Sequence, residues 1–109
     1  MSPEADAFAV PLDGYAMHLR RSELESVASG LGEFDASPEG NLLTLVAAVR
    51  ALPATDRAPL WELAVRRYGR QKPLEQAAGE IGMDVLRGRE LLEVFSQAIS
   101  DVRPPETSS

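Results

Sequence analysis

Arg66, Arg67, Arg70, Lys72, Arg87 and Arg89 are the residues whose types and spacing could do chemistry here, and that chemistry is ionic recognition. Arg87 and Arg89 fall near the start of a predicted helix, with the reach and planar fork that pair with guanine O6 and N7. The other four gather where one predicted helix ends and the next begins. A plainer structural role stands beside this one. Cations at a helix end offset its dipole, and Arg87 and Arg89 could pair with Glu90 and Glu93 on a solvated face. Leu86 and Val94 fall off the inward stripe of the same helix, and apolar groups on such a surface suit protein contact or dimerisation better than a polyanion.

Catalysis finds little to work with. His18 is the only histidine and there is no cysteine, so neither a histidine-rich metal site nor a Cys-His pair can be built. The acids lie singly on predicted helix surfaces, without paired-carboxylate or calcium-loop spacing. Gly79 and Gly82 belong to a turn between helices and form no phosphate-binding loop. We therefore expect a non-enzyme without metal or cofactor.

The elements that must position the cations are two helices in the stretch 72–99. Pro73 suits a first helical position, where no backbone N–H is needed. Gly82 sits where a helix needs positive φ to stop, and Asp84 can cap a second helix from Val85 to about Ser100. Ala78 supplies the small residue such helices need where they cross. Gly88, Leu91, Leu92, Phe95, Ile99 and Val102 form the inward stripe of the second helix. Gly88 is unusual there, because a glycine inside a helix costs about 1 kcal/mol relative to alanine, which points to a close helix approach or a departure from the usual pattern. The plan is that of a helix-turn-helix, whose second helix enters the DNA major groove in the proteins that read bases with it.

With the residues before it, this stretch resembles region 4 of bacterial sigma factors, the domain that holds the promoter minus-35 element. The resemblance covers about Ala51 to Ile99: Leu52-Pro53 opens it, Arg57 follows, and the apolar run Leu60 to Val65 ends in the aromatic Tyr68 before the two helices. It implies that Arg66, Arg67, Arg70 and Lys72 meet backbone phosphates. The chain departs from the family in the second helix, where Asp84, Val85, Leu86, Arg87, Gly88, Arg89 and Glu90 replace a small-polar start, a central valine and a basic run. The fold therefore transfers better than the DNA contacts.

The chain upstream reads as a small helical region with one ambiguous start. In 8–19, apolar residues alternate around Asp13-Gly14, a favoured two-residue turn. A hairpin would pair Leu12 with Tyr15, Val10 with Met17 and Phe8 with Leu19 on one face, leaving Pro11 at an open edge and His18 in solvent. The rival reading begins a helix at Asp13. Ser22 to Glu25 has capping-box spacing for a short helix to about Ser29, burying Leu24, Val27 and Ala28 and ended by Gly30 and Gly32. Phe34 lies in the loop that follows. Ser37 caps a third helix with Leu42, Leu45, Val46, Val49 and Leu52 on its stripe, and Pro53 stops it. Asp56 then caps a helix from Arg57 to Tyr68, with Gly69 as its stop. Residues 1–7 read as a flexible lead and 104–109 as a disordered tail, leaving 8–52 and 53–103 as the two regions of a mainly α domain.

At 109 residues, 44% apolar and 26% charged, the chain has an ordinary globular composition and room for one core. No stretch approaches membrane-spanning length and no export signal is visible, so the expected location is cytoplasmic. The net charge is −6, unevenly spread: residues 1–49 hold two arginines against eight acids, residues 50–103 nine cations against eight acids, and Glu106 supplies the rest. Two functions follow as expectations. One is a DNA-binding transcription regulator or sigma-like factor, dimeric if it acts alone. The other is a protein-interaction module on the same scaffold, binding RNA polymerase, another regulator or a second copy of itself.

Overall fold

Alternation about the Gly14 turn resolves as a hairpin rather than a helix. The structure, a computed structural model, describes residues 7–12, 14–32 and 38–102. Strands β1 (Ala7–Leu12) and β2 (Tyr15–Arg20) pair antiparallel, with Leu12 opposite Tyr15, Val10 opposite Met17 and Phe8 opposite Leu19. Gly14 has φ +81°, a conformation that glycine adopts without steric cost. Val10 and Leu19 are fully buried and Phe8 and Met17 pack against the same core, while Tyr15 at the tip is 67% exposed. His18 faces solvent. Asp13, Phe34 and the Ser37 cap, like the lead up to residue 6 and the tail, lie outside the described residues.

The open edge of β1 is where two later arginines attach. In an antiparallel pair alternate residues direct their backbone groups away from the partner strand, and here Ala9 and Pro11 do so. Arg50 donates to the Ala9 carbonyl at 2.8 Å and Arg57 to the Pro11 carbonyl. Pro11 has no N–H to leave unpaired on that edge. Arg57 also donates to the carbonyls of Leu52 at 2.9 Å and Arg50 at 2.7 Å, so one guanidinium ties the hairpin to the end of a helix. Arg57→Met should therefore lower unfolding stability by about 2 kcal/mol in urea titration, since charge-assisted bonds are among the stronger ones and the site is half-buried. A loss under about 0.5 kcal/mol would mean that water replaces the guanidinium without penalty.

Among the described residues five helices follow: α1 (Arg21–Leu31), α2 (Pro38–Ala51), α3 (Ala54–Ala64), α4 (Leu74–Glu80) and α5 (Val85–Val102), with a π turn over Val65–Gly69 continuing α3. The fold is mainly helical with an amino-terminal hairpin. The stripes expected for α1 and α2 are buried, and α5 buries Gly88, Leu91, Leu92, Phe95, Ala98 and Ile99 against α2, α3 and α4. Trp61 is buried in the same core, and its Nε1 has no acceptor among the described residues.

Several helix ends differ from the sequence reading. The capping box does not form, because β2 runs straight into α1: Arg20 with ψ 141° is the cap residue, it makes no side-chain cap bond, and Ser22 is already inside the first turn. Asp56 is not a cap either. The helix begins three residues sooner, after Pro53, which places Asp56 in the first turn and Pro59 inside the helix. Pro73 occupies the cap of α4 rather than its first helical position. Gly30 does not end α1, which continues to Leu31 and stops at Gly32 with φ +86°. Gly30 instead permits contact: a methyl built there would stand 2.1 Å from the Tyr68 carbonyl oxygen. Around that contact the helix from α3 does not end as an α-turn. Arg70 N–H reaches the Val65 carbonyl at 2.9 Å, an i to i−5 bond, and Gln71 then takes φ +56° to turn the chain towards α4.

Candidate functional site

The junction between α4 and α5 is built by the residues singled out for it. Met83 N–H bonds the Ala78 carbonyl at 2.8 Å and Gly82 N–H the Gly79 carbonyl at 3.2 Å, with Gly82 at φ +69°. This double closure of a helix end requires a left-handed residue at that one position. Asp84 then caps α5, its Oδ1 accepting from Leu86 N–H at 3.0 Å while its carbonyl takes Gly88 N–H at 2.9 Å. Gly88 lies at the crossing. A methyl built on it would meet Leu63 Cδ2 at 3.3 Å, Leu74 Cδ1 at 3.4 Å and Ala78 Cβ at 3.6 Å, so the misfit glycine marks a close helix approach.

Carboxylates hold half of the candidate cations. Glu80 on α4 pairs with Lys72 at 2.6 Å and with Arg66 at 3.2 Å, and Gln76 donates to it at 3.3 Å. The Lys72 hydrogen bond is the main reason the Glu80 carboxyl is held below the ordinary glutamate range. Arg66 also donates to the Glu62 carbonyl at 3.0 Å. On α5, Arg87 pairs with Asp56 of α3 at 2.8 Å, not with the Glu90 or Glu93 of its own helix.

No family model, no curated protein and no solved structure matches this chain. The surface therefore has to be read from its own chemistry.

Arg67, Arg70 and Arg89 make no ion pair among the described residues. Arg67 lies 5.6 Å from the Tyr68 ring centroid, a cation–π distance. Burial pushes the Tyr68 phenol up, against the pull of Arg67 and a side-chain hydrogen bond with Ser96. Arg70 borders a small pocket of about 170 Å³ with Ser22, Glu23 and Ser26 of α1, so the acid Glu23 lies beside the basic junction. Leu86 is 63% exposed and Val94 49%, as expected of residues off the buried stripe. Around them the open face of α5 presents Arg87 and Arg89 with Glu90, Glu93 and Asp101.

The sequence reading missed the carboxylates that matter. Asp56 and Glu80 neutralise cations 31 and 8 to 14 positions away, and only the i, i+4 relation of Gln76 to Glu80 was visible in the linear order. Among the described residues no three His, Cys, Asp or Glu side chains form a group that could hold a metal ion. Among the described residues no helix is long and apolar enough to cross a membrane.

Proposed function

We propose that this chain is a protein-interaction module on a helix-turn-helix scaffold of the sigma region 4 kind, docking through the open face of α5. The observation that carries this reading is the occupancy of the cations. Asp56 and Glu80 hold Arg66, Lys72 and Arg87, which leaves Arg67, Arg70 and Arg89 of the six candidates for a polyanion. Each neutralised phosphate contributes about 0.9 to the fall of log affinity with log salt, so three free cations correspond to a slope of only about −3 and weak electrostatic binding. α1 packs against the π turn beside those cations and brings Glu23 to the pocket that Arg70 borders, an acid that would repel a phosphate there. Exposed Leu86 and Val94 supply what a protein partner needs and a phosphate backbone does not. RNA polymerase or one of its regulators is the partner that the sequence resemblance to sigma region 4 suggests, with a second copy of the chain as the other candidate.

A DNA-binding regulator is the second reading, and one observation favours it. An ion pair as exposed as Arg87–Asp56 is worth at most about 1 kcal/mol, so phosphate or guanine could displace Asp56 from Arg87 at small cost. Titration with random duplex DNA at low and physiological salt separates the two. The module reading expects little binding at physiological salt, whereas tight binding with a slope steeper than about −5 supports the DNA reading. Variants add a second, independent axis. Leu86→Asp and Val94→Asp should break self-association in sedimentation or binding to purified RNA polymerase, because an unpaired charge at an apolar interface is expensive. Arg87→Ala should be nearly silent there. A loss of about 1 to 3 kcal/mol on a preferred DNA sequence from Arg87→Ala would reverse the assignment.

A further inference from the structure

Two of the three cations left without a carboxylate face the same space. Arg67, at the end of the helix that α3 begins, and Arg89, on α5, both line a groove of about 500 Å³ running beside the start of α4. Its floor is apolar, made by Leu74, Leu92 and the ring of Tyr68. Ser96, Gln97 and Ser100 carry hydrogen-bonding groups along α5 beyond the arginines, and Glu93 is the one acid on the rim. The other cations of the junction find their counter-charge inside the chain, at Glu80 and Asp56. The groove thus carries two arginines against the single carboxylate of Glu93, and neither arginine makes an ion pair among the described residues.

We infer that this groove binds an extended acidic segment of a partner protein, with a carboxylate between Arg67 and Arg89 and an apolar side chain on the Leu74–Leu92 floor. The proposal rests on the reading of the chain as a protein-interaction module and assigns that module a second contact, on the flank of α5. The lining favours a peptide over a compact metabolite, because it follows α5 from Arg89 to Ser100. From Arg89 to Ser100 the helix rises about 16 Å, the span of about five extended residues. The serines and Gln97 can bond the backbone of such a segment, as extended ligands require. Glu93 disfavours a second carboxylate further along, so the acid belongs at the arginine end and uncharged residues beyond it. Guanidinium groups suit this task because they bind carboxylates through two parallel hydrogen bonds.

A phage library of random heptapeptides, selected on the purified full chain, tests the inference without a known partner. Enriched peptides should carry Asp or Glu with an apolar residue within the next three positions. An enriched peptide, synthesised with a fluorophore, should lose about tenfold or more in affinity by polarisation on Arg89→Gln and on Arg67→Gln. Arg20→Gln removes the same charge from β2 and should change the affinity less than about twofold. Arg89 is exposed, so its replacement leaves the fold intact even if Arg67→Gln loosens the stack on Tyr68. Failure to enrich such peptides, or equal binding to both arginine variants and the parent, overturns the groove. The module itself would stand in that case if Leu86→Asp still dissociates the complex. Random duplex DNA that displaces the peptide at physiological salt would instead overturn the reading on which the proposal rests.

Discussion

Gly30→Ala should lower the stability of this protein by about 3 kcal/mol or more, although the substitution by itself favours helix. Alanine in a helix interior gains about 1 kcal/mol over glycine, and Gly30 lies inside α1 with ordinary helical geometry. Tertiary contact reverses the sign. The new methyl would stand 2.1 Å from the carbonyl oxygen of Tyr68, 2.6 Å from its carbon and 2.9 Å from its Cα, all of them backbone atoms. A flexible side chain could swing aside, but the backbone can relieve this contact only if α1 moves off the π turn. Overpacking a core costs about 1 to 3 kcal/mol when side chains absorb it; Gly30 is itself exposed, but the atoms in the way are backbone, and displacing them lies at or above that range. Urea unfolding of Gly30→Ala measures the loss, and Gly79→Ala provides the control. Gly79 has open space around its missing methyl, so that variant should gain about 0.5 to 1 kcal/mol from helix propensity alone. A stable Gly30→Ala would mean that α1 does not lie against Tyr68, and Glu23 would then no longer flank the basic junction.

That contrast also marks what could be read from the linear order. Features carried by local sequence were legible: the hairpin register from alternation about Gly14, the stripes of α1, α2 and α5 from their spacing, and the α4–α5 turn from Gly82 and Asp84. Each needs only neighbours a few positions away. Caps were less legible, because an acid or serine near a helix start is a candidate wherever the start lies. Ser22 lost its role when β2 ran directly into α1, and Asp56 lost its role when Pro53 started α3 sooner. Asp56 then became available to Arg87, which turned a residue assigned to local structure into part of the site. The ion pairs, the π turn and the left-handed Gln71 depend on which surfaces meet, and nothing in the order of residues announces them. Consequently all six candidate cations were identifiable, while their state, held or free, was not.

Ala78→Leu should cost about 3 kcal/mol and loosen the α4–α5 crossing. Ala78 is fully buried, and its Cβ lies 3.6 Å from where a methyl on Gly88 would be, so the two small residues stand against each other where the helices cross. Leucine adds three carbons at a point already closed by Leu63 and Leu74, and the excess volume must push α4 away from α5. Gly88→Ala probes the same crossing from the other side with the opposite expectation. Its methyl meets only the side-chain ends of Leu63 and Leu74 at 3.3 and 3.4 Å and the Ala78 Cβ at 3.6 Å, contacts that ask neighbours to give by tenths of an ångström. The helix-propensity gain of about 1 kcal/mol offsets that adjustment and keeps the net change within about 1 kcal/mol of zero. Thermal or urea unfolding of the two variants orders them. If Ala78→Leu melts like the parent, Ala78 does not face α5 and the helix-turn-helix geometry fails. If both variants are severely destabilised, the crossing tolerates no added carbon at all. Where Ala78→Leu is destabilised and Gly88→Ala is not, the effect on the open face of α5 is also readable, because Leu86, Arg87 and Arg89 are aimed by the angle at which α5 leaves the crossing. A partner that binds through that face should lose affinity with Ala78→Leu while Gly88→Ala retains it.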